Sequence, residues 1–206
     1  MVLFGGAWLF STVKPLMWGR SLRLLPPLAE IDSAPLKMAG GDPHIRALMR
    51  TISVAESHTA EPYHTLYGGQ RISDLTEHPD LCVDIVAGPN VGNCTTAAGR
   101  YQFLTTTWLE KAQQYHPQPP RWYSWWADYS FEPAYQDEVV YRWLSDTVAW
   151  NADIADLLRQ GYLSEVLYLL SGTWTSLGYG IEDNAVTPYL HRVYEQMLAE
   201  ELATVP

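Results

Sequence analysis

The clearest pattern of apolar positions in the chain is the run Ile45, Leu48, Met49 and Ile52. These residues recur at i, i+3, i+4 and i+7, the stripe of a helix with one buried face. Asp42-Pro43 predicts where that helix starts, because aspartate accepts the first free amides and proline suits the first helical position. At about 100° per residue, Glu56 returns to within roughly 20° of the direction of Ile45. An acid therefore projects from the buried face at the helix end. Desolvation there disfavours its charged form, which suits a proton donor. A last-turn glutamate bent towards solvent is the plainer alternative.

Beyond Glu56 the helical spacing stops. Leu66-Tyr67-Gly68-Gly69-Gln70-Arg71-Ile72 places turn glycines between short apolar flanks and predicts a β-hairpin. Residues 73–96 read as loop, broken by His78-Pro79 and Gly88-Pro89-Asn90. Ala97 to Leu104 reads as a turn or strand leading into a helix, and Thr107-Trp108-Leu109-Glu110 fits a capping box near that helix's start. Residues 116–133 are rich in proline and tryptophan. Pro133 predicts a helix to about Trp150, whose rows Tyr135/Val139/Trp143 and Val140/Leu144/Val148 mark it as the central buried helix. Shorter helices are expected at 152–160, stopped by Gly161, and at 164–171, started by Ser164. Thr187-Pro188 opens the last helix, with Leu190, Val193, Tyr194 and Met197 as its core stripe. The sum is an α+β chain, mainly helical, with one small hairpin beside Glu56.

The N-terminus follows another pattern. Residues 1–13 are apolar, and positive charge comes only afterwards, at Lys14, Arg20 and Arg23. A secretory signal carries its charges first, and about seventeen residues interrupted by Lys14 is short for a membrane span. An atypical export signal, an anchor formed by residues 2–18, and a tail that packs on the domain or stays loose are the alternatives. Residues 24–43 hold four prolines and read as an extended tether. The expected division is an N-terminal segment and linker at 1–41 and one domain at 42–206.

Composition narrows the partners. The 206 residues, 47% hydrophobic and 17% charged, suffice for one buried core. A formal net charge of −10 argues against nucleic acid or an anionic membrane surface, both of which require clustered Lys and Arg. Nine Trp and thirteen Tyr are many for this length. Their rings fill cores, and they also make platforms on which sugar rings rest. Trp122, Tyr123, Trp125, Trp126 and Tyr129 could form such a wall or simply pack under a loop. Cys82 and Cys94 can close a small loop as a disulfide, worth on the order of 3 kcal/mol, or remain two thiols. They are too few for a zinc site, and no cofactor is indicated.

Three segments become informative together: Glu56-Ser57, Gly99-Arg100-Tyr101-Gln102 within Ala97 to Leu104, and Trp174 to Gly180 with Tyr179. With Tyr63 to Gly69, Asp74 and His78-Pro79 between them, the chain resembles the phage-lambda-type endolysins. These are lysozyme-fold lytic transglycosylases of glycoside hydrolase family 104. The resemblance spans residues 43–198 and preserves the order and rough spacing of the segments.

The resemblance implies a lysozyme-like fold with the hairpin beside the cleft. It also implies cleavage of the β-1,4 bond between N-acetylmuramic acid and N-acetylglucosamine, leaving a 1,6-anhydromuramyl end. Glu56 would be the single catalytic acid, with Ser57, Tyr101, Gln102 and Tyr179 binding substrate and Gly99 letting the backbone approach it. Tyr101 and Gln102 could equally serve as core or hydrogen-bond fillers, Trp174 reads better as packing, and Arg100 better as partner of an internal acid. The protein would act as a monomer on peptidoglycan glycan strands, in the cell envelope or after secretion. His64 stands where the family usually carries an acid, Ser57 stands where glycine is common, and the Cys82–Cys94 segment has no counterpart. A hydrolytic lysozyme using Asp74, Asp80 or Asp84 to position water, and a glycan-binding protein without activity, are the competing readings.

Overall fold

In a computed structural model of the chain, residues 33–57, 59–86, 90–120, 128–180 and 185–204 are described. The other helices gather around α1 (Pro43–Glu56), capped by Asp42, whose carboxylate accepts from His44 N at 2.8 Å and Ile45 N at 3.4 Å. Ile45, Leu48, Met49 and Ile52 are all buried. Each such side chain contributes about 1.5–3 kcal/mol when taken from water. Packed along α1 is the last helix, α7 (Leu190–Ala203), which inserts Leu190, Val193, Tyr194 and Met197. An ion cluster with Arg50 and Glu201 buried at its centre joins the two: Arg46 Nε meets Glu201 Oε2 at 2.5 Å, and Arg50 reaches Glu201 at 3.2 Å and the exposed Glu200 at 2.6 Å.

The remaining helices are α2 (Thr105–Tyr115), α3 (Pro133–Leu144), α4 (Thr147–Trp150), α5 (Ile154–Arg159) and α6 (Leu163–Leu170). Helices α3 and α5 also pack on α1, so the central place belongs to α1 and not, as the sequence suggested, to α3. Nor does α3 run on to Trp150. Asp146 turns its carboxylate to the amides of Val148 and Ala149 and restarts a separate turn, α4. Val148 is left 87% exposed, outside the apolar row it was assigned to. Trp150 folds back, giving its indole N–H to Trp143 O at 2.8 Å.

Two helix starts also differ. Helix α2 begins at Thr105, ahead of the capping-box pattern, with Leu104 in the cap position. Helix α6 begins one residue before Ser164, whose hydroxyl faces His191 instead.

The β-structure lies elsewhere than the glycines indicated. Residues 65–71 make one bridge among themselves, Thr65 to Arg71, around a tight turn at Tyr67–Gly69, and a second from Leu66 to Ala98. The two-stranded antiparallel sheet is β1 (Val83–Asp84) with β2 (Cys94–Thr95), inside the stretch read as loop. Its register pairs Val83 with Thr95 and Asp84 with Cys94. A Cys82–Cys94 disulfide, with Cα atoms 5.3 Å apart, staples it.

The supposed linker is structured from Ser33 onward. Asp137 Oδ2 accepts from the amides of Lys37 at 2.6 Å and Met38 at 3.2 Å. Arg50 donates to Ser33 O and Arg46 to Met38 O and Gly40 O, while Leu36 and Met38 sink into the core. This strap therefore packs as part of the helical body. The apolar segment 2–18 and Trp122, Tyr123, Trp125 and Trp126 lie outside the described residues. Among the described residues no helix is long and apolar enough to cross a membrane.

Candidate active site

Glu56 occupies the last position of α1, half-buried, where the helical stripe meets three converging loops. Ser57 closes the helix: its amide donates to Ser53 O at 2.8 Å, and its hydroxyl donates to Arg100 O at 2.7 Å. Ser57 is itself buried, so it pins the acid's end of the helix to the neighbouring loop and does not face a ligand.

That loop is a tight hairpin. Ala98 and Phe103 exchange both backbone hydrogen bonds, at 3.0 and 2.8 Å, and Gly99-Arg100-Tyr101-Gln102 forms the turn between them. Gly99 has φ of +74°, and a Cβ there would lie 2.4 Å from Gln136 Oε1, so glycine is required twice over. Gln102, at φ of +47°, spends its amide on Gly99 O at 2.9 Å and Thr65 O at 3.2 Å. It braces the two loops against each other.

Tyr101 was expected to line the site, but it is 1% exposed and gives its hydroxyl to Asp137 Oδ1 at 2.7 Å. Its backbone carbonyl takes the indole N–H of Trp174 at 3.2 Å, so Trp174 is packing, stacked on Trp150 and tilted against Trp143. Arg100 is buried as well. It donates to Tyr63 Oη at 2.8 Å, Ser33 Oγ at 2.8 Å, Ala34 O at 2.6 Å and Pro35 O at 3.3 Å. Tyr63 hands the connection on, donating to Asp137 Oδ2 at 2.7 Å.

Burial raises the pKa of Asp137, opposed by Arg100 and by four hydrogen-bond donors. Burial and the Asp137 charge together push both tyrosines upward, so they stay protonated donors. Arg100 thus meets its internal acid through a tyrosine, and the Gly-Arg-Tyr-Gln turn is held from below by a buried network.

The third loop crosses opposite α1. A short 3-10 turn, Thr175–Leu177, buries Leu177 and presents Ser176, whose hydroxyl donates to Glu56 Oε1. Tyr179, three residues on, is 44% exposed, gives its hydroxyl to Ser164 O at 2.9 Å and meets Tyr168 edge-on. The β1–β2 sheet and the turn at Tyr67–Gly69 flank an open groove of about 440 Å³, lined by residues including Leu66, Gln70, Leu81, Val83, Asp84 and Val86, with Glu56 not in its wall.

Of the three aspartates weighed as second acids, two are engaged locally. Asp74 accepts from the amide and hydroxyl of Thr76, which hold its pKa below the usual value. Asp80 accepts from Thr105 Oγ1 at 2.7 Å. His64 donates from Nδ1 to Ile72 O at 3.0 Å and closes its turn. Among the described residues no group of three or more His, Cys, Asp or Glu could hold a metal ion.

Ser176 and Asp137 carry this arrangement, and the sequence reading passed over both. Asp137 had a signal, a charge opening the apolar row Val140/Leu144. Ser176 lay inside the segment Trp174 to Gly180, but nothing there set it apart from its neighbours, since a serine in a short turn looks like any other.

A mainly helical body with a small two-stranded sheet, and a glutamate at the end of its central helix, defines a lysozyme-like protein. Two solved structures share that fold. Bacteriophage lambda lysozyme complexed with a chitohexasaccharide aligns with a TM-score of 0.56 at 20% identity, over 78% of this chain and 97% of its own. Lysozyme from bacteriophage lambda aligns with a TM-score of 0.51 at 17% identity, over 81% and 96%. No protein of curated function matches the sequence at a significant level. The sequence model of the endolysin family matches residues 46–200, and the chain belongs to that family. It is accordingly a glycosidase-like enzyme that degrades the peptidoglycan of the cell wall.

Proposed function

We propose that the protein is a lytic transglycosylase, cleaving the β-1,4 bond between N-acetylmuramic acid and N-acetylglucosamine and closing a 1,6-anhydromuramyl end. The observation that carries this reading is Glu56, a half-buried acid at the end of the central helix, held from across the site by Ser176. Ordinary glycosidases need two carboxylates, one to protonate the leaving oxygen and one to attack or to activate water. Here Asp74 and Asp80 are engaged by threonines, which favours one carboxyl acting twice. Glu56 gives its proton to the glycosidic oxygen as an oxocarbenium-like centre develops. Its carboxylate then takes the proton of the sugar's own C6 hydroxyl, which attacks C1. Because that nucleophile is tethered, its effective concentration exceeds that of water.

The chitohexasaccharide in the lambda lysozyme structure supports a glycan strand as the ligand here. Ser57, Gln102 and Gly99 shape the floor through the backbone, and Tyr179 offers an exposed ring at the rim. The enzyme acts as a monomer on the outer side of the cytoplasmic membrane.

Glu56→Gln should abolish turnover, by at least about a thousandfold, while binding to peptidoglycan stays close to the parent's. Clearing of a cell-wall suspension at the parental rate by that variant would remove Glu56 from the mechanism. Mass spectrometry of the digest decides the reaction: anhydro ends support transglycosylation, and reducing ends mean a hydrolase, with Asp84 in the groove as the first residue to suspect.

A further inference from the structure

We infer that Ser176 is a positioning residue for the reaction, which holds the Glu56 carboxyl in place and stabilises the charge it acquires on giving up its proton. The inference rests on the reading of Glu56 as the acid.

Three observations place Ser176 there. Its hydroxyl donates to Glu56 Oε1. It is only 7% exposed, so water competes poorly for that bond. Its backbone is fixed from both sides: Leu177 N donates to Trp174 O at 3.0 Å, Gly178 N to Thr175 O at 3.1 Å, and Thr187 Oγ1 to Ser176 O at 3.3 Å. Gly178 at φ of +95° lets the chain turn away at once, and a Cβ there would strike Thr187 Cγ2 at 2.4 Å. The hydroxyl is therefore presented by a rigid turn whose hydrophobic anchor is the buried Leu177.

A general acid enters the reaction protonated, so in that role Glu56 starts neutral and the bond from Ser176 is an ordinary one. In the first step the Glu56 O–H bond breaks and its proton bonds to the glycosidic oxygen. The C1–O bond breaks with its electron pair going to that oxygen, and the O–H pair stays on the carboxylate. A hydrogen bond to a charged acceptor is roughly twice as strong as a neutral one. The Ser176 bond therefore strengthens as the transition state forms. In the second step the carboxylate takes the C6 hydroxyl proton and the bond relaxes again. Serine keeps its own proton throughout. An interaction that grows only in the transition state acts on kcat and leaves KM alone.

The experiment measures kcat and KM on purified peptidoglycan for the full chain, Ser176→Ala, Ser176→Thr and Glu56→Gln, with a melting curve for each. Ser176→Ala should lose about tenfold in kcat, equivalent to ~1.4 kcal/mol, with KM within about twofold of the parent. Ser176→Thr, which keeps the hydroxyl, should recover most of that loss. The inference is overturned by an alanine variant with parental kcat, by a loss that appears in KM, or by alanine and threonine variants that lose activity equally while melting like the parent. An inactive Glu56→Gln beside an unimpaired Ser176→Ala sinks only the role of Ser176. A fully active Glu56→Gln sinks the acid itself.

Discussion

A methyl group on Gly99 would arrive 2.4 Å from Gln136 Oε1 and 2.7 Å from Phe131 Cζ, on a backbone with φ of +74°. Gln136 is no movable neighbour. Its side chain is buried and already bridges Arg100 N, Tyr63 O and Phe131 O. Gly99→Ala should therefore destabilise the fold by about 2–4 kcal/mol, read from urea unfolding. Turnover should fall as well, because the turn that follows carries the carbonyl to which Ser57 is bound. A variant as stable as the parent would show that the turn relaxes freely. Single residues were unevenly legible in the sequence. The place of Glu56, half-buried at the end of α1, could be read because helical periodicity gives direction as well as position. Tyr101 could not be oriented, because a tyrosine beside an arginine reads alike in a groove or a core. Only Asp137, thirty-six positions away, decides between them.

At the scale of elements, long amphipathic segments were legible and short ones were not. The stripe of α7 and the Gly161 stop after α5 could be read because several residues repeat one message. The break between α3 and α4 turns on one carboxylate choosing two nearby amides, which periodicity cannot see. The β1–β2 ladder, two residues a side, is too short to alternate. What makes so short a ladder persist is the disulfide at its end, closing a loop across a separation of 12 residues. Replacing Cys82 and Cys94 by serine should remove about 3 kcal/mol and lower the melting temperature by roughly 5–10 °C. The same change should loosen the groove beside Asp84 and raise KM. An unchanged melting temperature would mean that the ladder stands without its staple.

For the molecule as a whole, two histidines make the fold sensitive to acid. His78 and His116 each precede a proline and use the same device. Nε2 donates to a backbone carbonyl, Phe103 O at 2.8 Å and Ser130 O at 3.0 Å, while Nδ1 accepts the amide two residues on. Burial lowers both pKa values below the usual 6.5, against the weaker opposing pull of those carbonyls. A group whose folded pKa is depressed takes up its proton more readily in the unfolded chain. The stability it lends is complete above about pH 6.5 and drains as pH falls through the folded values. Urea midpoints should hold steady from pH 8 to 7 and decline towards pH 5, and the His78→Gln, His116→Gln pair should flatten that decline. A decline of equal slope in the pair would assign it to other groups, and Asp137, raised by its burial, acts in the opposite sense.

The strap from Ser33 to Met38 sets where a working enzyme can begin. Family likeness starts at residue 46, yet Arg50, Arg100 and Asp137 all find partners in residues upstream of that point. A version trimmed to the matched stretch would keep Glu56 and Ser176 but strip each of these three interior charges of part of its hydrogen bonding. The minimal enzyme is thus longer than the family match suggests, by the few residues whose backbone solvates charges in its own foundations.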